Sequence, residues 1–370
     1  MHKTSAWPLA LVYVGLIVYA SLYPFTGWRY QGILPWTFLS APLPKYWTGF
    51  DVTTNILGYV PIGFLLALSA LRTGRASYAV VLATLAAGFL SLAMESLQGY
   101  LPIRVPSNVD LGLNVLGAWF GAVLAWTMEK LGVVDHWSRF RARWFVADAS
   151  GALVLLALWP LALLFPAAVP FGLGQVLERL NVALADVLAD TPFLEWLPVR
   201  DIEWQPLMPG VELICVTLGL MIPCLLGYCI IRSIGRRMLL VLVVFASGMG
   251  ATALSAALSY GPEHAWAWFG FPVRAGLVAA LVLASAMLWA PPRASAALML
   301  LALGAYLSLL NQSPSSPYFA QTLSTWEQGR FIRFHGLAQW LGWLWPYAAL
   351  AYVLVQVWGR QSEKLESTYD

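Results

Sequence analysis

The sequence repeats one set of polar residues at one spacing. The motif D-x-x-x-N-x-L-G occurs first at Asp51, Asn55 and Gly58 and again at Asp110, Asn114 and Gly117. Positions i, i+4 and i+7 lie on one face of a helix. Each copy therefore predicts a polar stripe with a carboxylate, an amide and a glycine that lets a neighbouring backbone approach.

A third stripe lies between the two copies. Ser91, Glu95 and Gln98 have the same helical spacing, and Arg104 follows in a short connection. Glu95 comes after an uncharged run over 78–94, which predicts a position at the edge of the hydrocarbon. An ionised carboxylate there costs up to about 2–3 kcal/mol unless it is paired, and Arg104 is the nearest candidate partner.

Structural roles compete with a binding site for the same residues. Asp51 and Asp110 are suited to be helix N-caps, and Asn55 and Asn114 to bridge helices by hydrogen bonds. Glu95 and Arg104 together could form a structural lock. The convergence of these groups at one predicted depth favours a site formed by Asp51, Asn55, Glu95, Gln98, Arg104, Asp110 and Asn114.

The composition identifies the elements that must position these groups. Of the 370 residues, 60% are apolar and only 11% are charged, whereas soluble domains have about 25% charged residues. The apolar residues form uncharged runs of about 17 to 22, long enough to cross a bilayer. The sequence predicts an all-α, polytopic transmembrane bundle. The formal net charge of +3, without a basic patch rich in aromatics, argues against nucleic acid as a partner.

Ten uncharged runs are candidate spans. They cover about 7–24, 55–71, 78–97, 111–128, 149–168, 213–231, 238–258, 272–290, 294–310 and 337–358. With a cytoplasmic amino terminus, 13 of the 21 basic residues lie inside. The positive-inside rule then predicts cytoplasmic termini and an outer position for the repeated motif.

The spans group into two predicted regions. The first four, in 1–132, form two repeated hairpins, and about six more follow in 133–370. Apolar residues at helical spacing also predict an interfacial helix near 172–190 in an outer loop. Cys215, Cys224 and Cys229 share one apolar run, which is typical of free cysteines inside a helix.

The stretch around the motifs resembles the VanZ-like family of bacterial membrane proteins. The matching residues are Asp51, Asn55, Gly58, Pro61, Gly63, Glu95, Gln98, Arg104, Asp110, Asn114, Gly117 and Gly121. The family's hairpin pattern takes in about 7–130, roughly a third of the chain. The resemblance implies an inner-membrane protein whose namesake is associated with resistance to lipid-bearing glycopeptide antibiotics. The six further spans instead suggest a relative with a role in the envelope or its polysaccharides.

Other chemistry finds little support in the sequence. The four histidines are scattered, and neither a metal-ligand pattern, a nucleotide-binding loop nor a nucleophile elbow occurs. We therefore expect no cofactor and no metal.

Three hypotheses on function remain: a binding or transport protein, a membrane enzyme, and a structural or assembly role. In the first, the seven residues form a periplasm-facing polar pocket for an amphipathic ligand, either a lipid-linked envelope precursor or a lipoglycopeptide. In the second, the protein is a membrane enzyme in which Glu95 is the acid or base and Arg104 clamps an anion. Amides and an arginine without an evident nucleophile favour binding, with membrane lipids or a lipid-linked precursor as partners.

Overall fold

The protein is helical throughout the part of the chain that the structure describes. The computed structural model describes residues 6–23, 25–43, 48–165, 167–189, 191–196, 208–260, 262–312 and 332–369. The α-helices are α1 (Ala6–Leu22), α2 (Gly49–Arg72), α3 (Ala79–Gln98), α4 (Asn108–Lys130), α5 (Val133–Trp144), α6 (Ser150–Ala162), α7 (Leu177–Leu188), α8 (Pro209–Ile230), α9 (Ile234–Tyr260), α10 (Phe271–Ala286), α11 (Pro292–Leu310) and α12 (Ile332–Tyr369).

The helices confirm the predicted class, a polytopic membrane protein. Among the described residues, seven helices are long and apolar enough to cross a membrane, namely α2, α3, α4, α8, α9, α10 and α11. Two shorter apolar helices, α1 and α6, coincide with the first and fifth predicted spans, and α12 contains the tenth. The predicted end of the fifth span at 168 is wrong, because α6 ends at Ala162. Pro166 and Pro170 lack the N–H that a longer helix would require.

The chain divides into two compact units, Met1–Arg141 and Ala142–Asp370. In the first unit α2 packs against α4, α3 and α1, and α3 also packs against α4. Asn55 meets Asp110 near the starts of α2 and α4, and Val60 lies against Gly121 farther along. The residue numbers rise together, so these two helices run parallel, as expected for repeated hairpins. The residue numbers of contacting pairs on α3 and α4 run in opposite directions, because Ser91 contacts Asn114 and Glu95 contacts Ser107. These two helices are therefore antiparallel.

Glycines set the separation of α2 and α4. A Cβ on Gly117 would overlap the carbonyl group of Ile56, and a Cβ on Gly121 would overlap that of Val60. Gly63 on α2 is pressed in the same way against the backbone of Ala118. Three missing side chains therefore bring the two backbones into direct contact, as small residues do at membrane helix interfaces.

The second unit is built around α8, which is buried from Cys215 to Ile230. The three cysteines are free and buried in this helix, as predicted. At the start of α9 the guanidinium of buried Arg237 donates to four carbonyl oxygens, those of Tyr228, Ile231, Leu288 and Ala290. This cation thereby satisfies the backbone at the ends of neighbouring helices.

The outer helix predicted near 172–190 is shorter than expected. It corresponds to α7, Leu177–Leu188, and Leu173 lies before it in a buried connection. Asn311 explains where α7 begins, because its Oδ1 accepts hydrogen bonds from the N–H groups of Val176 and Leu177, at 3.1 Å each. The N–H of Leu173 donates to the hydroxyl of Tyr306, which itself donates to the carbonyl of Phe171. These side chains supply partners that a helix would otherwise provide.

Candidate functional site

The polar residues of the first unit meet where α2 and α4 begin and α3 ends. We call this set the polar cluster: Asn55, Ser91, Glu95, Gln98, Arg104, Ser107, Asp110 and Asn114. Its members come from α2, α3, α4 and the connection between α3 and α4.

One hydrogen bond joins the two copies of the repeated motif. Asn55 Nδ2 donates to Asp110 Oδ1 at 2.8 Å, from α2 to α4. Both residues remain partly exposed. Asp110 is also in the first turn of its helix, where the helix dipole favours a negative charge. The carboxylate of Asp110 is therefore fixed in position within a residue that is partly exposed.

The second asparagine of the motif has a different partner. Asn114 Nδ2 donates to Ser91 Oγ at 2.9 Å, which joins α4 to α3. Ser91 is fully buried and Asn114 is only 5% exposed. The Oδ1 of Asn114 is buried and accepts no hydrogen bond from the described residues. Asn114 therefore combines a helix-bridging donor with an acceptor inside the cluster.

Glu95 holds the start of α4. It is only 4% exposed, and its Oε2 accepts a hydrogen bond from the backbone N–H of Ser107 at 2.9 Å. Ser107 is in turn the N-cap of α4, since its Oγ accepts from the N–H groups of Val109 and Asp110. The carboxylate thus positions the residue that begins the helix bearing Asp110 and Asn114.

The remaining members contact the end of α1. Arg104 donates to the carbonyl oxygens of Tyr23 at 2.8 Å and Ala20 at 3.4 Å. Gln98 Nε2 donates to the carbonyl of Ser21 at 3.1 Å. Both residues are partly exposed. The ion pair expected between Glu95 and Arg104 stays a prediction, whereas these contacts assign Arg104 a role in joining the α3–α4 connection to α1.

Asp51 is held within its own helix. Its carboxylate accepts from the backbone N–H of Thr48 at 3.0 Å and from the Thr48 hydroxyl at 2.7 Å, which completes a capping box. The N-cap role considered for Asp51 and Asp110 is wrong, because the N-caps are Thr48 and Ser107 and each aspartate is three residues later. The sequence carries the signal that finds these caps, T-x-x-D and S-x-x-D.

The cluster combines acceptors with donors. The Asp110 carboxylate accepts from Asn55, while Arg104 and Gln98 donate to carbonyl groups at the end of α1. Residues 7–129 of the chain match the family model described as VanZ/LLP1. This region is VanZ-like. The match contains every residue of the polar cluster as well as Asp51, and it confirms the resemblance of the repeated motifs.

The VanZ-like match covers a third of the chain and ends near the end of α4. Searches of curated proteins and of solved structures gave no match for the chain.

Proposed function

We propose that the VanZ-like region binds the polar head of an amphipathic envelope ligand, either a lipid-linked precursor or a lipoglycopeptide. The polar cluster is the site, on the periplasmic face of a bacterial inner membrane, with both chain termini in the cytoplasm. Such an activity links the protein to glycopeptide resistance, as its resemblance to the family implies, or to envelope polysaccharide metabolism, as the six further spans suggest.

The observation that carries the proposal is the state of Asp110. Its carboxylate is fixed by Asn55 on another helix, and the residue as a whole is partly exposed. A group held in this way binds a ligand without a large loss of side-chain entropy. Ammonium and hydroxyl groups of a sugar or peptide head are suited to this acceptor, and Arg104 is suited to a phosphate or carboxylate.

Apolar surface beside the cluster is suited to the ligand's tail. Ile103, next to Arg104 in the α3–α4 connection, is 65% exposed. Val105, in the α3–α4 connection, is 85% exposed. An amphiphile with its head at Asp110 would place acyl or prenyl carbons against such side chains, where their burial from water is favourable.

Native mass spectrometry of the protein purified from bacterial membranes tests the proposal. Asp110→Asn keeps an oxygen that accepts from Asn55 but removes the charge, and charge-assisted hydrogen bonds contribute about 1.5–3 kcal/mol. We expect occupancy by a co-purifying amphiphile to fall about tenfold or more. Asp148→Asn is the matched control, because Asp148 is an exposed aspartate of the second unit. An identical lipid profile for wild type and both variants would contradict the proposal.

Glu95→Gln separates binding from catalysis. Glutamine retains an oxygen that accepts from Ser107, so the start of α4 is preserved, but it cannot exchange a proton as a carboxylate does. An enzyme would lose turnover of the co-purified lipid while keeping its affinity, whereas a binding protein would lose affinity. Because Glu95 already accepts a hydrogen bond from Ser107, we favour binding over catalysis. Loss of turnover at unchanged affinity would instead favour catalysis.

A further inference from the structure

The short helix α5 differs from the spans in composition. Its 12 residues include three arginines, Arg139, Arg141 and Arg143, and a single acidic residue, Asp135. The sequence alone indicated a cytoplasmic connection here and gave no helix. The structure adds an amphipathic element directly after α4.

Contacts at its first turn locate α5 relative to the polar cluster. Arg72, the last residue of α2, lies 3.3 Å from the carboxylate of Asp135 and 3.7 Å from that of Glu129. The polar cluster is at the start of α2, whereas this ionic contact is at its end. Because α2 is long enough to cross a membrane, α5 begins at the opposite side of the bilayer from the cluster.

One side of α5 presents apolar rings to the surroundings. Val133, Trp137 and Phe140 have the spacing i, i+4, i+7, and we call them the aromatic face. The rings of Trp137 and Phe140 stack with centroids 5.5 Å apart, yet these side chains are 54% and 39% exposed. Val133 is 39% exposed as well. The described residues thus cover this face only in part.

Positive charge accompanies the aromatic face. Arg141 is at its edge on the helical wheel, and Arg139 is on the far side, fully accessible, with its Nε donating to the carbonyl of Asp135 at 3.4 Å. Arg72 offsets the single negative charge of α5. Aromatic residues on one side and arginines on the other are typical of helices that lie in the membrane interface and attract anionic lipids.

We infer that α5 is a membrane-surface helix that binds the headgroups of anionic phospholipids. The aromatic face enters the headgroup region of the leaflet, where Trp and Phe rings are favourable. Arg139 and Arg141 then lie within a Debye length of the lipid phosphates. The site is at the other side of the membrane from the polar cluster and does not depend on the ligand proposed for that cluster.

Lipid titration of the full-length protein in detergent, followed by native mass spectrometry, tests the charge requirement. The probes are phosphatidylglycerol and phosphatidylcholine. We expect Arg139→Gln/Arg141→Gln to lower the affinity for phosphatidylglycerol about thirtyfold, since each of the two basic residues near a membrane contributes about 1 kcal/mol. Arg139→Lys/Arg141→Lys should retain the preference, and Arg274→Gln, an exposed arginine of the second unit, should leave it unchanged. A glutamine double variant that binds like wild type would overturn the inference.

Spin labels test the position of the aromatic face. Trp137→Cys is on that face, and Ser138→Cys is one residue away on the exposed polar side. The three native cysteines are buried, so labelling is selective for the introduced thiol. In vesicles of phosphatidylcholine with phosphatidylglycerol, we expect the label at 137 to be relaxed by oxygen and the label at 138 by a water-soluble nickel complex. Equal access of nickel to both labels, or shielding of the label at 137 from both reagents, would contradict a membrane-facing helix.

Discussion

The two copies of the repeated motif have the same residues and different contacts. Asp51 of the first copy accepts hydrogen bonds from Thr48 in its own first turn. Asp110, its counterpart, accepts from Asn55 of the other copy. The same residue type at the same position therefore completes a capping box within one helix in the first copy and joins two helices in the second.

The asparagine and the glycine of the second copy are both packed more tightly than their counterparts in the first copy. Asn55 is partly exposed, whereas Asn114 is buried against Ser91. A Cβ on Gly58 would meet nothing within 4 Å, while one on Gly117 would overlap the Ile56 carbonyl. The close approach that the sequence predicted for both glycines is thus found for Gly117 and is wrong for Gly58.

The reason is the position of α4 in the first unit. Its stripe contacts both neighbours, since Gly117 lies against Ile56 of α2 and Asn114 donates to Ser91 of α3, whereas the stripe of α2 contacts α4 at Asn55 and is open at Gly58. The two copies agree only at the motif leucines, since Leu57 and Leu116 are both exposed. An internal repeat therefore conserves the spacing of a stripe, and the neighbouring helices decide what each residue in it does.

Replacing Gly117 and Gly58 with alanine should produce the largest difference in stability between the two copies. Gly117→Ala forces α2 and α4 apart, and overpacking of this kind costs typically 1–3 kcal/mol and occasionally more. We expect about 3 kcal/mol of destabilisation. Gly58→Ala has room for its methyl group and gains up to about 1 kcal/mol of helix propensity. The midpoint of thermal unfolding in detergent measures both, and equal midpoints for the two variants would contradict the assigned packing.

Removing the two amides should give a smaller contrast. Asn114→Ala leaves the buried Ser91 hydroxyl without this donor, and an unsatisfied buried polar group costs about 1–3 kcal/mol. We expect about 2 kcal/mol. Asn55→Ala removes one interhelical hydrogen bond near the surface, and such bonds average about 0.6 kcal/mol in membrane proteins. Unfolding in a denaturing detergent measures both variants, and a larger loss for Asn55→Ala would reverse the comparison.

The sequence predicted the spans well because their signal is local. A long uncharged run specifies a membrane helix by itself, and each predicted span overlaps a helix. The predicted spans begin later than α2 and α4, at 55 and 111, because a span is recognised by its apolar residues and the first turns of these helices are polar. The helices begin at Gly49 and Asn108, after polar caps that the apolar pattern ignores.

The partners within the polar cluster were less predictable. Sequence spacing gives the face on which Asn55 and Asn114 lie, but Asp110 and Ser91 become their partners only through the order in which α2, α4 and α3 pack. The helix α5 was missed for another reason. Its 12 residues are too short and too charged for a span, and an amphipathic pattern of that length is weak without the structure.

Double-mutant cycles on the two aspartates should give the smallest and most specific effects. Asp51→Ala should couple to Thr48→Ala, because the two residues form one capping box, and Asp110→Ala should couple to Asn55→Ala across the helices. We expect coupling energies of about 0.6 kcal/mol for the interhelical pair and of similar size for the box. The cross pair, Thr48→Ala with Asp110→Ala, shares no hydrogen bond and should be additive within about 0.5 kcal/mol. Coupling in the cross pair as large as in the other two would mean that both aspartates act in one network, and the difference between the copies would then disappear.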